Sequence, residues 1–220
     1  MFNPVSTYRI QFHKDFRFSD LEKIIPYLQQ LGVKTLYASP IFEAVPGSVH
    51  GYDCTNPLAI NPEIGSLDEL RELSKKLQEA GIAWLQDIVP NHMAFHSNNA
   101  WLMDVLEKGK ASEYAQVFDI NGGSKGTEKL MVPFLGKSLM EVVYDGEIRL
   151  SLINEKPVFD YYGATYPLSE ESITRYIQTK KITPESISPI NENKEALLAL
   201  ANAQHYRLCH WQETDRQINF

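Results

Sequence analysis

The sequence predicts an α/β fold in which a parallel sheet alternates with helices until a partly β segment interrupts the rhythm. Three observations carry this. β-Favouring runs at residues 6–12, 33–38 and 82–89 are separated by two amphipathic helical stretches. Each helical stretch stops at a glycine just ahead of the next strand, and such short helix-to-strand turns imply parallel pairing with right-handed crossovers. Past His92 the alternation breaks.

The first strand is expected over Ser6 to Phe12. Ser19-Asp20-Leu21-Glu22 matches a capping box with Ser19 as N-cap, and Leu21, Ile24, Ile25, Leu28 and Leu31 follow at helical spacing up to Gly32. Pro26 lies inside that helix and is expected to kink or divide it, because proline removes a backbone donor and crowds the preceding turn. Val33 to Ala38 forms the second strand, stopping at Ser39-Pro40. A long connection through Gly47 to Asp53 is too polar and glycine-rich for a regular element. Ser66-Leu67-Asp68-Glu69 is a second capping box, followed by an apolar stripe of Leu67, Leu70, Leu73 and Leu77 ending at Gly81. The third strand is Ile82 to Val89.

Asn99 to Lys108 then reads as a short helix. Lys129 to Phe134, Glu141 to Tyr144 and Ile148 to Ile153 read as strands, punctuated by Gly122, Gly123, Gly126, Gly136 and Gly146, with Asp145-Gly146 as a hairpin turn. Residues 170–180 and 193–208 return to helical composition. The expected division is a parallel α/β part over residues 1–92, and over 93–220 an inserted α+β subdomain with the start of a return to the first part. The pattern alone does not separate an open doubly wound sheet from a (β/α)8 barrel. The lack of a GxGxxG after the first strand weakens a dinucleotide fold.

Composition narrows the function classes. With 43% hydrophobic and 22% charged residues the chain can bury a real core. A net charge of −7 without a basic cluster argues against a nucleic-acid partner. The first residues lack a signal-peptide pattern and no apolar run is long enough to span a bilayer, so a cytoplasmic protein without a membrane partner is expected. Cys54 and Cys209 lie far apart with no CxxC, which fits a reducing compartment.

Candidate chemistry gathers where the third strand delivers its polar end, Leu85-Gln86-Asp87-Ile88-Val89-Pro90-Asn91-His92-Met93. His50, Asp53, Asp87, His92 and His96 could converge there, because loops at the C-terminal ends of neighbouring parallel strands share a face. Metal binding is one option, but no HExxH pattern is present and no metal or other cofactor is expected. On its own, Asp87 reads as well as a buried carboxylate satisfied by backbone or arginine, and His92 as an interior hydrogen-bonding histidine.

Several stretches taken together narrow the reading. Ser6 to Gln11, Tyr37-Ala38-Ser39-Pro40, Pro46 to Asp53, Asn61 to Gly65 and Asp87 to Met93 occur in that order. Leu106 to Gly109 with Ser112, Phe118-Asp119-Ile120, Tyr161-Tyr162-Gly163, Tyr166-Pro167-Leu168 and Gln204 to Leu208 follow. This combination resembles the N-terminal part of the maltooligosyl trehalose synthases, a branch of the α-amylase superfamily (glycoside hydrolase family 13), over nearly the whole chain.

The resemblance implies the first three βα units of a (β/α)8 barrel with a subdomain inserted after the third strand. It also implies an isomerase, an intramolecular glucosylmutase that exchanges the reducing-end α-1,4 bond of a maltooligosaccharide for an α,α-1,1 bond by retaining double displacement. Tyr52 is then expected to stack on a sugar ring and His92 to hydrogen-bond a hydroxyl of the same sugar. Asp87 would orient an arginine, Asn91 hold loop geometry, and His50 and Asp53 brace the Tyr52 loop. For His96, Trp101, His205 and Arg207 the resemblance supplies position without role.

The family's nucleophile, acid/base and third carboxylate belong to later strands, so no catalytic residue is expected here and all three are expected beyond Phe220. Asp215, Asp160, Glu43 and Asp104 do not fit those patterns. The expectation is an N-terminal fragment, inactive alone, whose open sheet edge drives self-association or whose stability comes mainly from the insertion. A non-catalytic maltooligosaccharide-binding module is the alternative, and a metal-dependent hydrolase using His50, His92 and His96 a third reading.

Overall fold

The computed structural model describes residues 5–118, 129–179 and 181–213, so Asp119-Ile120, Gly122, Gly123, Gly126, Lys180, Asp215 and Phe220 fall outside the described residues. The chain divides into two compact units between Asn99 and Ala100. In the first unit, β1 (Thr7–Ile10), α1 (Phe18–Gln30), β2 (Thr35–Ala38), β3 (Phe42–Ala44), β4 (Cys54–Ile60), α2 (Leu67–Glu79) and β5 (Ala83–Gln86) follow in order. β1, β2 and β5 form a parallel sheet in that spatial order, with Arg9 level with Tyr37 and Tyr37 level with Leu85.

Both helices end as their glycines predict. Gly32 and Gly81 adopt φ of +78° and +69°, a conformation that costs a residue without a β-carbon least. The next N–H closes each end: Val33 donates to the Leu28 carbonyl at 3.0 Å and Ile82 to that of Leu77 at 2.9 Å. Ser66 caps α2 as expected, its hydroxyl accepting from Glu69 N–H while the Glu69 carboxylate accepts from Ser66 N–H. In α1 the cap differs from expectation. The helix starts at Phe18, so Arg17 is the boundary residue and Asp20 accepts from its N–H at 3.0 Å, because burial of Phe18 draws the first turn forward. Pro26 does not divide α1, which runs undivided to Gln30 with Pro26 on its exposed side.

The alternation of the strands explains the core. Ile10, Leu36 and Ala38 are buried with Phe18, Leu21, Ile25 and Leu28 of α1 and Leu73 and Leu77 of α2, and Trp84 packs against them. Arg9, Tyr37 and Leu85 therefore lie on the opposite face, since strand side chains alternate. That face is more open: Leu85 is 44% exposed. The long polar connection is also more ordered than its composition suggests, because β3 and β4 flank it as an antiparallel pair.

The second unit holds α3 (Ala100–Lys108), β6 (Leu130–Leu135), α4 (Leu139–Tyr144), β7 (Ile148–Ile153), β8 (Lys156–Tyr161), β9 (Ala164–Pro167), α5 (Glu170–Tyr176), α6 (Pro184–Glu192), α7 (Lys194–Asn202) and β10 (Tyr206–His210). β7, β8 and β9 form an antiparallel meander, and β6 pairs in parallel with β10.

Three sequence expectations differ from the structure. Glu141 to Tyr144 is helical, because Ser138 and Glu141 form a capping box that outweighs a short β-favouring run. Asp145-Gly146 consequently closes α4 instead of turning a hairpin, with Gly146 at φ +76°; the same dipeptide suits both positions. Tyr206 to Leu208 extends as a strand where helix was expected, because pairing with Leu130 to Val132 overrides local composition.

Tyr206 is fully buried and donates its hydroxyl to the Pro167 carbonyl at 2.8 Å, and Tyr166 is buried nearby with its ring centroid 6.5 Å away. Burial pushes the Tyr166 phenol up to about 12 and that of Tyr206 well above its ordinary value. Unfolded tyrosines ionise near pH ~10. Raised folded-state values mean this stability is intact below about pH 10 and is lost as pH rises toward about 12. An alkaline titration followed by phenolate absorbance and circular dichroism should show two of the eleven tyrosines ionising only as secondary structure collapses. Complete phenolate absorbance with a native dichroism spectrum would contradict this burial.

Candidate functional site

At the C-terminal end of the parallel sheet the backbone ladder continues one residue beyond β5, since Asp87 N–H donates to the Ala38 carbonyl at 2.9 Å. That bond places the Asp87 side chain on the same face as Tyr37 and Leu85. Its Oδ2 accepts two hydroxyl hydrogen bonds, from Tyr52 at 2.6 Å and from Tyr37 at 3.0 Å. The Arg9 guanidinium lies 5.8 Å from the Tyr37 ring centroid, within cation–π range. Hydrogen bonding to Asp87, with some desolvation, raises the Tyr37 phenol above its ordinary value, so this hydroxyl remains a donor at neutral pH.

Tyr52 ends a tightly tied loop. Ser48 Oγ donates to Asp53 Oδ1 and accepts from Gly51 N–H at 3.1 Å, and Val45 N–H donates to the Asp53 carbonyl at 3.1 Å. His50 Nδ1 accepts from Tyr52 N–H at 3.1 Å. The same nitrogen lies 3.7 Å from Asp53 Oδ1. Gln11 Nε2 donates to the Val49 carbonyl and Gly47 N–H to the Glu63 carboxylate, anchoring the loop to the end of β1 and to the turn before α2. The strand ends are cross-tied as well: Ser39 Oγ accepts from Phe12 N–H, and Gln86 Nε2 donates to the Ser39 carbonyl.

The predicted residues thus fall into two groups. Tyr52, Asp87, His50 and Asp53 are brought together. Asn91 and His92 are exposed and contact each other at 3.3 Å; among the described residues neither hydrogen-bonds Tyr52 or Asp87. Their segment still runs beside the Tyr52 loop, because Ala94 N–H donates to the Cys54 carbonyl at 2.7 Å. Tyr37 is the member that sequence reasoning missed. Its signal was available in the register, where a tyrosine two residues before the Ser39-Pro40 stop shares a strand face with Asp87.

The residues without an expected role have structural partners. His96 Nδ1 accepts from Asn98 N–H, Trp101 stacks on Tyr114 at 5.2 Å, and Arg207 pairs with Glu213 at 2.7 Å. His205 packs so closely on Gly109 that a β-carbon there would lie 2.8 Å from its ring. The carboxylates considered and set aside are also engaged: Asp104 with Lys108 and Ser112, Asp160 with Arg149 and Gly163 N–H, and Glu43 with Asn56. Among the described residues no group of three or more His, Cys, Asp or Glu side chains could hold a metal ion. No helix among them is long and apolar enough to cross a membrane.

The C-terminal end of a parallel sheet is where α/β proteins carry their sites, and comparison with known proteins supplies the family. The family model of the alpha-amylase catalytic domain matches residues 19–145, more than half of the chain, and the chain belongs to that family. Within it, the chain is 42% identical over 142 residues to a putative maltooligosyl trehalose synthase of Mycobacterium tuberculosis, covering 61% of this chain and 18% of that protein. It is similar to a solved glycosyltrehalose synthase (DSM5389), with 34% identity, a TM-score of 0.80 and coverage of 95% of this chain and 27% of that one. The maltooligosyltrehalose synthase of Arthrobacter ramosus matches at 33% identity and a TM-score of 0.74, over 96% and 24% of the two chains. The chain therefore spans between 18% and 27% of the length of these relatives. The three-stranded sheet is the first part of a (β/α)8 barrel, and an α+β region follows its third strand.

Gly51 is the loop's conformational weak point. Its φ is +74° and a β-carbon would sit 2.8 Å from the Pro40 carbonyl oxygen. Gly51→Ala should destabilise the first unit by about 1–3 kcal/mol, combining left-handed strain with the clash. Chemical denaturation checks this, and an unchanged midpoint would show that the loop relaxes freely.

Proposed function

We propose that this chain carries the sugar-positioning side of an amylase-type site in an enzyme that converts the reducing-end α-1,4 linkage of a maltooligosaccharide into an α,α-1,1 linkage. The observation that carries the reading is similarity to synthases of this name over 93% to 98% of the chain at 33% to 34% identity. The Tyr52–Asp87 pair supports it, since an oriented tyrosine ring offers a stacking face for a sugar.

In this reading Tyr52 stacks on the sugar held on the non-reducing side of the broken bond, and His92 hydrogen-bonds one of its hydroxyls. Asp87 orients an arginine beside the nucleophile, Asn91 holds the loop that follows the third strand, and His50 and Asp53 brace the Tyr52 loop. The reaction is a retaining double displacement. The released glucose turns in place and attacks the glycosyl-enzyme where a hydrolase would admit water, so exclusion of water sets the outcome. The nucleophile and acid/base are not among the 220 residues from Met1 to Phe220, and the chain alone lacks turnover. It acts in the cytoplasm, and β1 and β5, each with one strand neighbour among the described residues, promote self-association through their open edges. The second reading is a non-catalytic maltooligosaccharide-binding module, favoured by the same Tyr52–Asp87 geometry.

Incubation with maltopentaose should yield no non-reducing trehalosyl product, while NMR titration should detect binding that Tyr52→Ala weakens about 3- to 10-fold, as expected for loss of an aromatic face. A trehalosyl product from the chain alone would overturn its inactivity. Equal affinity of the Tyr52→Ala variant and the parent would remove Tyr52 from the subsite. In sedimentation the chain should self-associate with concentration, and a clean monomer would count against the open-edge proposal.

A further inference from the structure

Tyr37 has no expected role, yet its hydroxyl is bonded to the candidate site. It stands on the strand face shared by Arg9 and Leu85, and Asp87 extends that face two residues beyond Leu85. Its hydroxyl is the second donor to Asp87 Oδ2, the oxygen that Tyr52 also uses. An ionised carboxylate oxygen has two lone-pair directions, and two donors arriving from different elements occupy both. The carboxylate then cannot rotate without breaking one bond. Of the two, the Tyr52 bond at 2.6 Å has the length of a strong charge-assisted pair, and the 3.0 Å bond from Tyr37 holds the acceptor in place for it. Arg9 in turn lies against the Tyr37 ring, so a continuous run of contacts passes from β1 through β2 and the end of β5 to the loop of Tyr52.

We propose that Tyr37 is a positioning residue: its hydroxyl fixes Asp87, and Asp87 fixes the Tyr52 ring at the height and tilt a sugar meets. This rests on the sugar-subsite reading of Tyr52. Because the constraint is delivered by one oxygen atom, Tyr37→Phe tests it while keeping the ring and its contact with Arg9.

The test uses the 220-residue chain with tyrosine rings isotopically labelled, in four forms: parent, Y37F, D87A and the double variant. Without sugar, Y37F should shift the Tyr52 ring resonances while the amide spectrum away from the cluster and the thermal midpoint stay close to the parent's. Maltopentaose affinity should fall about 3- to 10-fold in Y37F, the scale of one ordinary hydrogen bond, because the lost bond acts on the sugar only through Asp87 and Tyr52. In the D87A background the same change should alter affinity less than about twofold, because residues acting through one partner are not additive. Should D87A not fold, D87N replaces it, and there the loss caused by Y37F should shrink. Unchanged Tyr52 resonances in Y37F, or fully additive losses, would overturn the proposal. A parent chain with no maltopentaose affinity would instead overturn the sugar-subsite reading, and the Tyr52 resonances would still decide whether Tyr37 positions that ring.

Discussion

One oxygen atom holds the first unit's functional end together. Asp87 Oδ2 takes hydroxyl hydrogen bonds from β2 and from the loop ahead of β4, while the backbone of the same residue continues the β2–β5 ladder. Three pieces of chain distant in sequence are thereby fixed relative to one another at the point where the sheet delivers its polar side chains. The arrangement demands an ordered approach from every contributor. Register must place Tyr37 and Leu85 side by side, the Tyr52 loop must be tied down by Ser48, Asp53, Gln11 and Glu63, and Gly51 must pass close under Pro40. A cluster of this kind is stiff because its donors and its acceptor sit on different elements, and rigidity of that origin is what a binding face requires.

The second unit solves a different problem. Two of its polar residues from the matched motifs, Gln204 and Tyr206, serve packing. Gln204 is wholly buried, its carbonyl oxygen accepting from Ser169 N–H and its amide donating to the Leu200 carbonyl and Ser172 Oγ. That satisfies the start of α5 and the end of α7 at once, as a buried amide must to avoid a desolvation cost of roughly 1–3 kcal/mol. Tyr206 follows the same rule through the Pro167 carbonyl. Gln204 and Tyr206 are thus accounted for by satisfied burial, whereas Tyr162 and Arg207 from the same motifs lie exposed.

Reading the chain residue by residue recovered the features governed by local physics. The Ser66 capping box and the glycine ends of α1 and α2 follow from interactions within a few residues, and the three strands of the parallel sheet announce themselves by local β-favouring runs. Errors fell where two local signals competed, or where a distant partner decided. Glu141 to Tyr144 offered too few residues to separate strand from helix, and the Ser138 cap decided for helix. Tyr206 to Leu208 had helical neighbours and no local sign of its partner β6, more than seventy residues earlier. In the site, Asp87 was legible because polar residues at a strand end stand out, and Tyr52 through the family resemblance carried by Pro46 to Asp53. Tyr37 was not, because inside a strand a tyrosine looks like core until register shows which face it takes.

The amino-acid sequence by itself determined the alternation of the three parallel strands with two helices, the glycine ends of those helices and the polar end of the third strand, since propensity, capping and periodicity act over a few residues. Tertiary structure alone decided which hydroxyls meet Asp87, that His50 accepts from Tyr52 N–H, and that Asn91 and His92 form their own exposed contact. Those choices depend on strand register and loop anchoring, and a displacement of one residue in either would turn the same side chains to the opposite face.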